Sequence, residues 1–209
     1  MKPVVRGLYA VTPDIADTEV LVRKVTAALD GGAALIQYRN KTAADALKRE
    51  QATRLHALCV RYGVPLIVND SAALAAAVGA HGLHLGKDDG SVADARQAAG
   101  ADILVGVSCY DRLERARVAL EEGADYVAFG AAFPSRVKPG AVRASRELYA
   151  EARGRYAAPI VAIGGITLDN APALLDCGVD ALAVISAVFD APDIARAARS
   201  FTDLFTRSV

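Results

Sequence analysis

A chain of 209 residues with 24 Lys+Arg against 24 Asp+Glu carries no net charge, so it lacks the basic excess of a nucleic-acid-binding surface. No apolar stretch reaches about 18 residues free of charge, so no membrane-spanning helix is expected, and the segment 1–6 has no apolar signal core, so no leader is expected. Cys59, Cys109 and Cys177 stand far apart with no C-x-x-C pair, which argues against disulfide or zinc scaffolding and fits a reducing cytoplasm. Cys59 and Cys177 read as buried structural thiols. Cys109 has no neighbouring His to activate it and is a poor nucleophile.

Eight short apolar runs predict strands at 7–11, 34–39, 65–69, 82–85, 103–107, 126–130, 160–163 and 181–185. Helical spacing of apolar residues occupies 19–29, 43–62, 111–121 and 169–175, with further helical patterns between the other strands and after the last. Gly31, Gly63, Gly79, Gly100, Gly123 and Gly178 stand near helix ends, where a left-handed residue closes the last turn. Near-continuous apolar strands alternating with helices indicate a parallel sheet buried on both faces. Eight such units predict a (β/α)8 TIM barrel, one catalytic domain over 1–209. The competing architecture is an open doubly wound sheet, but Tyr9-Ala10-Val11-Thr12-Pro13 lacks its glycine-rich turn. The near-repeats Gly100-Ala101-Asp102, Gly123-Ala124-Asp125 and Gly178-Val179-Asp180 mark a recurring helix-to-strand turn.

Polar residues cluster at the carboxyl ends of these strands, where a barrel carries its active site. Gln37, Arg39 and Lys41 alternate along one face of the second strand, and Ile36 and Tyr38 take the face that packs on helices. Arg offers phosphate a planar fork and Lys a point charge, so an anionic ligand is the natural partner. Asp70 and Asp89 follow the third and fourth strands and together could hold one Mg²⁺ through hard oxygen ligands. Each has a plain alternative: Asp70 as the N-cap of the next helix, Asp89 as a turn residue. His84 reads as a packed strand residue. Ser108 ends the fifth strand and could donate to phosphate. Lys138, in the loop Pro134–Gly140, could swing over a leaving phosphate or be a solvated loop lysine, and Arg136 reads as a surface charge. Gly164-Gly165 and Ile185-Ser186 sit where such barrels bind phosphate with backbone N–H groups, and the glycines equally suit tight strand–helix packing. Two anionic groups in one pocket fit a reaction between a diphosphate ester and a monophosphate.

The segments Leu8-Tyr9-Ala10-Val11-Thr12, Gln37-Tyr38-Arg39-Asn40-Lys41, Asn69-Asp70, His84-Leu85-Gly86-Lys87-Asp88-Asp89, Gly106-Val107-Ser108, Pro134-Ser135-Arg136-Val137-Lys138, Val161-Ala162-Ile163-Gly164-Gly165-Ile166 and Val184-Ile185-Ser186-Ala187 occur in this order and spacing. In these the chain resembles thiamine-phosphate synthases over nearly its whole length. The resemblance implies small-molecule substrates, hydroxymethylpyrimidine diphosphate and a thiazole phosphate or its carboxylated form, with thiamine phosphate and pyrophosphate as products, one Mg²⁺ per active site, and no nucleic-acid or membrane partner. It implies that Gln37, Tyr38, Arg39, Asn40, Lys41, Asn69, Ser108 and Lys138 hold the pyrimidine diphosphate, with Arg39, Lys41, Ser108 and Lys138 catalytic. It likewise implies Asp70 and Asp89 as metal ligands, and Ser135, Arg136, Val137, Gly165, Ile185 and Ser186 at the thiazole phosphate. The chain departs from the family pattern at Lys87, often Gln; at Tyr110, often His; and at Ser135 and Val137, often Thr. Val137 loses a hydroxyl, leaving its backbone as the contact.

The implied chemistry is a dissociative substitution: the C–O bond to diphosphate breaks, and the thiazole nitrogen attacks the resulting pyrimidine-stabilised cation. It needs stabilisation of departing charge and a held nucleophile rather than a general base. Two other readings compete. A thiazole tautomerase would need neither a diphosphate clamp nor paired acids, and a non-catalytic thiazole phosphate sensor would not need Asp70, Asp89 and Lys138 together.

Overall fold

The computed structural model describes residues 2–134, 140 and 142–206. All eight expected strands form: β1 (Gly7–Val11), β2 (Leu35–Tyr38), β3 (Leu66–Asn69), β4 (Gly82–Leu85), β5 (Leu104–Tyr110), β6 (Tyr126–Gly130), β7 (Ile160–Ile163) and β8 (Ala181–Val184). Every neighbouring pair is parallel, and β8 returns to pair with β1 through Gly7–Ala181 and Ala10–Val184. The sheet is therefore a closed (β/α)8 barrel rather than an open doubly wound sheet. Closure removes both sheet edges, so every strand can satisfy its backbone groups in the ladder.

Helices alternate with the strands: α1 (Thr18–Asp30), α2 (Asp45–Tyr62), α3 (Ala72–Val78), α4 (Val92–Ala99), α5 (Leu113–Glu121), α6 (Arg146–Arg155), α7 (Ala171–Leu175), α8 (Ser186–Phe189) and α9 (Ile194–Thr206). α1, α3, α4 and α6 start on side-chain caps. Asp17 accepts from Val20 N at 2.9 Å, and Ser91 and Asp94 form a capping box at α4. Gly63 and Gly79 are left-handed at the ends of α2 and α3, as expected. Gly31 is not: its φ is −77°, and the positive φ falls on Gly32. Gly31 is needed for space instead, since a Cβ there would lie 2.4 Å from Ala195 O in α9.

Strand alternation splits the core in two. Outward residues such as Leu8, Ile36, Tyr38, Val68 and Phe129 meet the helices. Inward residues, among them Tyr9, Leu35, Ile67, Leu104, Tyr126 and Val161, fill the barrel. The Gly-x-Asp turns precede β6 and β8 at the amino-terminal end of the barrel. Asp125 Oδ2 accepts from Val105 N at 2.8 Å and from Arg96 Nη2 at 3.0 Å. Asp180 Oδ2 accepts from Ile160 N at 2.7 Å and from Arg153 Nη1 at 2.8 Å. Each of these two acids ties its own strand to the preceding one, at the end of the barrel away from the site.

One ring sets the interior packing. A Cβ at Gly106 would fall 1.9 Å from Tyr126 Cζ, so Gly106→Ala must displace a fully buried tyrosine. Chemical denaturation of this variant is expected to show a loss of about 1–3 kcal/mol, the usual cost of overpacking; an unchanged midpoint would show that the ring has room to move.

Candidate active site

A cavity of about 390 Å³ opens at the carboxyl ends of the strands, and its wall combines Gln37, Arg39 and Lys41 from β2 with Asn69 and Asp70 from β3 and Ser108 from β5. The β2 end is held from β1. Arg39 N donates to Thr12 Oγ1 at 2.8 Å, and Thr12 Oγ1 donates back to Arg39 O at 2.9 Å. Asp14 then holds the segment at two points: Arg39 Nη1 lies 3.2 Å from its Oδ1, and the Lys41 backbone N–H donates to the same oxygen at 2.7 Å. Sequence reasoning missed Asp14, because a lone acid after a strand looks like any loop residue. Buried Thr12, at the end of an otherwise apolar strand, was the available signal.

Tyr38 and Asn40 belong to the opposite face and do not line the cavity. The Tyr38 hydroxyl donates to Gln51 Oε1 at 3.0 Å, and Asn40 Nδ2 donates to Ile15 O at 2.9 Å and to Gln51 Oε1 at 3.1 Å. Asn40 Oδ1 accepts from Ala43 N at 3.1 Å. Period-two alternation turns these side chains into the layer between strand and helix, where they brace the loops after β1 and β2. The helix-packing reading of Tyr38 is the one its side chain follows.

The two acids come together beside this cluster. Asp70 takes a left-handed φ of +65°, unusual for a residue other than glycine. It does not cap α3; Ser71 does, accepting from Leu74 N. Asp70 Oδ2 instead lies 3.3 Å from Lys41 Nζ. Asp89 Oδ2 accepts from Gly86 N at 2.7 Å, so the turn role expected of it is real and leaves its other oxygen for a ligand. Burial, and then the neighbouring Asp70, raise the Asp89 pKa above its ordinary value, against the pull of Gly86 N–H and Lys41. The paired acids fit a divalent cation: the donors are hard oxygens, and a Cβ on Gly86 would sit 2.7 Å from Asp89 Oδ2 and 3.8 Å from Asp70 Oδ1, filling the space between them.

Inside the mouth, His84 joins Ser108 Oγ at 2.8 Å through Nε2 and the Tyr126 hydroxyl at 3.0 Å through Nδ1. It is the packed strand residue expected, and burial pushes its pKa down to about 4, so it is neutral. Tyr110, at the end of β5, has φ +56° and lies under the Arg115 guanidinium at 5.8 Å. Arg115 also donates to Ser108 O at 2.7 Å and to Gly86 O at 2.9 Å, bracing the ends of β4 and β5 against each other.

On the far wall, Gly164 and Ile185 line the cavity. Gly164 and Gly165 have φ of +100° and +64°, and side chains on them would meet Ala131 and the carbonyl oxygens of Phe133 and Pro134. The tight-packing reading of the glycines thus holds for both, and Gly165 is not among the cavity-lining residues. Ser186 is exposed and opens α8. Ser135, Arg136, Val137 and Lys138 lie outside the described residues. Cys109 is buried, and burial pushes its thiol up to about 12, which removes it as a nucleophile. Among the described residues, no helix is long and apolar enough to cross a membrane.

The sequence profile of the family described as "Thiamine monophosphate synthase" matches residues 8–188. The chain belongs to this family. The "Thiamine-phosphate synthase" of Azoarcus sp. (strain BH72) is 56% identical over 201 residues, covering 96% of this chain and 98% of its own. That of Thiobacillus denitrificans is 53% identical over 199 residues, covering 95% and 94%. The solved "Thiamine phosphate pyrophosphorylase from Pyrococcus furiosus" superposes with a TM-score of 0.86 at 35% identity, covering 96% of each chain. The segment matched by the thiamine monophosphate synthase profile contains every strand end that builds the cavity.

The acid pair makes a prediction for the metal-free protein. A carboxyl whose pKa is raised on folding stabilises the fold below its unfolded pKa, and that contribution is lost as pH rises through the folded value. Ionising Asp89 therefore costs more in the folded protein than in the unfolded chain. In chelator, Asp89→Asn is expected to raise the melting temperature by roughly 1–3 °C, the scale of a solvent-screened charge pair, and the gain should vanish as pH falls through the carboxylate range. A lower melting point for the variant at pH 7 would refute the strained pair.

Proposed function

We propose that this chain is a transferase that joins hydroxymethylpyrimidine diphosphate to a thiazole phosphate, releasing pyrophosphate and forming thiamine phosphate. The observation that carries the reading is the convergence of Gln37, Arg39, Lys41, Asn69, Asp70 and Ser108 on one cavity from three strand ends. Family membership and the names of the relatives support it.

In this reading Arg39, Lys41, Asn69 and Ser108 bind the diphosphate oxygens, and Gln37 orients the pyrimidine. Asp14 and Thr12 hold Arg39 in place, so its fork is preorganised before the ligand arrives. Asp70 and Asp89 would hold one Mg²⁺, which when bound supplies Lewis-acid neutralisation of diphosphate oxygens. Lys138 would serve the leaving group, and Ser135, Arg136 and Val137, with Gly165, Ile185 and Ser186, would bind the thiazole phosphate. The bond to the leaving diphosphate breaks first. The thiazole nitrogen, held against the same cavity, then closes the new C–N bond. The chain's contribution is charge placement and proximity, with no general base. Unpaired cysteines fit a cytoplasmic setting.

The deciding assay supplies purified protein with both substrates, in Mg²⁺ or in chelator. Thiamine phosphate is expected only with Mg²⁺. Asp89→Ala should lower turnover by about a hundredfold or more and abolish the Mg²⁺ dependence; wild-type kinetics at saturating Mg²⁺ would remove Asp89 from the metal site. For Lys138→Ala the expected signature is a fall in turnover larger than any loss of thiazole phosphate affinity, and an effect confined to that affinity would reassign the residue.

A further inference from the structure

A row of hydrogen bonds crosses the barrel interior and connects two sides of the cavity. Gln37 Nε2 lies 2.9 Å from the Tyr9 hydroxyl, which lies 2.9 Å from the Tyr126 hydroxyl. The Tyr126 hydroxyl meets His84 Nδ1 at 3.0 Å, and His84 Nε2 meets Ser108 Oγ at 2.8 Å. Five strands contribute one side chain each. Tyr9, Tyr126 and His84 are 1%, 0% and 7% exposed, so water does not complete their bonding and each proton has to be shared along the row.

That requirement gives the row a direction. A hydroxyl donates once, and a neutral imidazole donates from one nitrogen and accepts at the other. Each member takes in one proton and passes one on, so the row points one way throughout. Gln37 Nε2 can only donate. Tyr9 accepts from it and donates to Tyr126, Tyr126 donates to His84 Nδ1, and His84 Nε2–H donates to Ser108. Ser108 Oγ therefore already accepts, and its own proton is left for the cavity. At the other end Gln37 Oε1 hydrogen-bonds to none of the described residues, leaving an acceptor there. Turning the Gln37 amide over would reverse every bond and present the cavity with a lone pair at Ser108.

We propose that Tyr9, Tyr126 and His84 are positioning residues that couple Gln37 and Ser108, so that the cavity shows an acceptor on β2 and a donor on β5 at the same time. The ligand this selects carries an N–H donor at one end and an anionic oxygen at the other. The inference rests on the diphosphate reading of the cavity, and it deepens that reading. A ligand that engages one end fixes the other, so the two halves of recognition are not independent. Tyr126 stands in the middle of the row, and its hydroxyl sets which His84 nitrogen carries the proton.

The test is the His84 tautomer in the full-length protein, read from long-range ¹H–¹⁵N correlations with ¹⁵N-labelled histidine. The chain has three histidines, and His56→Gln and His81→Gln separate the other two signals. The proton is expected on Nε2, with Nδ1 bare, and Tyr126→Phe should mix the tautomers. Inorganic pyrophosphate with Mg²⁺ is the binding probe. Ser108→Ala and Tyr126→Phe should each weaken it about tenfold, the scale of one hydrogen bond to a charged group, and together still about tenfold rather than a hundredfold. A packing role for Tyr126 would lower the melting point without moving the tautomer. An Nδ1–H tautomer in the wild-type protein would overturn the proposal even if no variant folds, and so would multiplicative losses in the double variant. An Nε2–H tautomer with coupled pyrophosphate binding but no thiamine phosphate formation would uphold the row and reject the synthase reading alone.

Discussion

Closure of the sheet is the constraint on which the rest depends. Once β8 pairs with β1, eight strands point the same way and their carboxyl ends meet in a ring. Side chains separated by scores of residues then share one cavity. Parallel pairing also turns alternate residues into the barrel. Polar groups placed there meet partners on other strands, as Tyr9, Gln37, His84, Ser108 and Tyr126 do.

The site is braced by residues that never face the cavity. Thr12 and Asp14 hold the β2 end, the Tyr38–Asn40–Gln51 group holds the loops behind it, and Arg115 ties the β4 and β5 ends together. Each brace uses backbone carbonyls or amides as anchors, so it positions a chain segment rather than a single side chain. The opposite end of the barrel uses the same device with Asp125 and Asp180. Position at the amino-terminal end separates those structural acids from Asp70 and Asp89.

Charge at the cavity mouth is nearly balanced and locally opposed. Arg39 and Lys41 face Asp14 and Asp70, and Asp89 stands beside Asp70 with its carboxyl pushed toward protonation. A trianionic ligand and a divalent cation entering together would relieve both imbalances, whereas either alone would relieve one.

Much of this was legible in the sequence, because strand and helix periodicities depend on local spacing. The eight strands and the barrel follow from near-continuous apolar runs alternating with helical patterns, and strand alternation puts Gln37, Arg39 and Lys41 on one face. The same alternation placed Tyr38 toward the helices, and family likeness alone suggested otherwise for it and for Asn40. What the sequence could not contain is distance between strands. Strand pairing brings Asp70 beside Asp89 and Asp14 onto Arg39, and closure brings Tyr126 between Tyr9 and His84, partners up to 117 residues apart. The sequence by itself determined the elements and the chemistry at their ends; the tertiary structure decided which polar groups meet, because hydrogen bonds across a barrel depend on register and closure rather than on spacing along the chain.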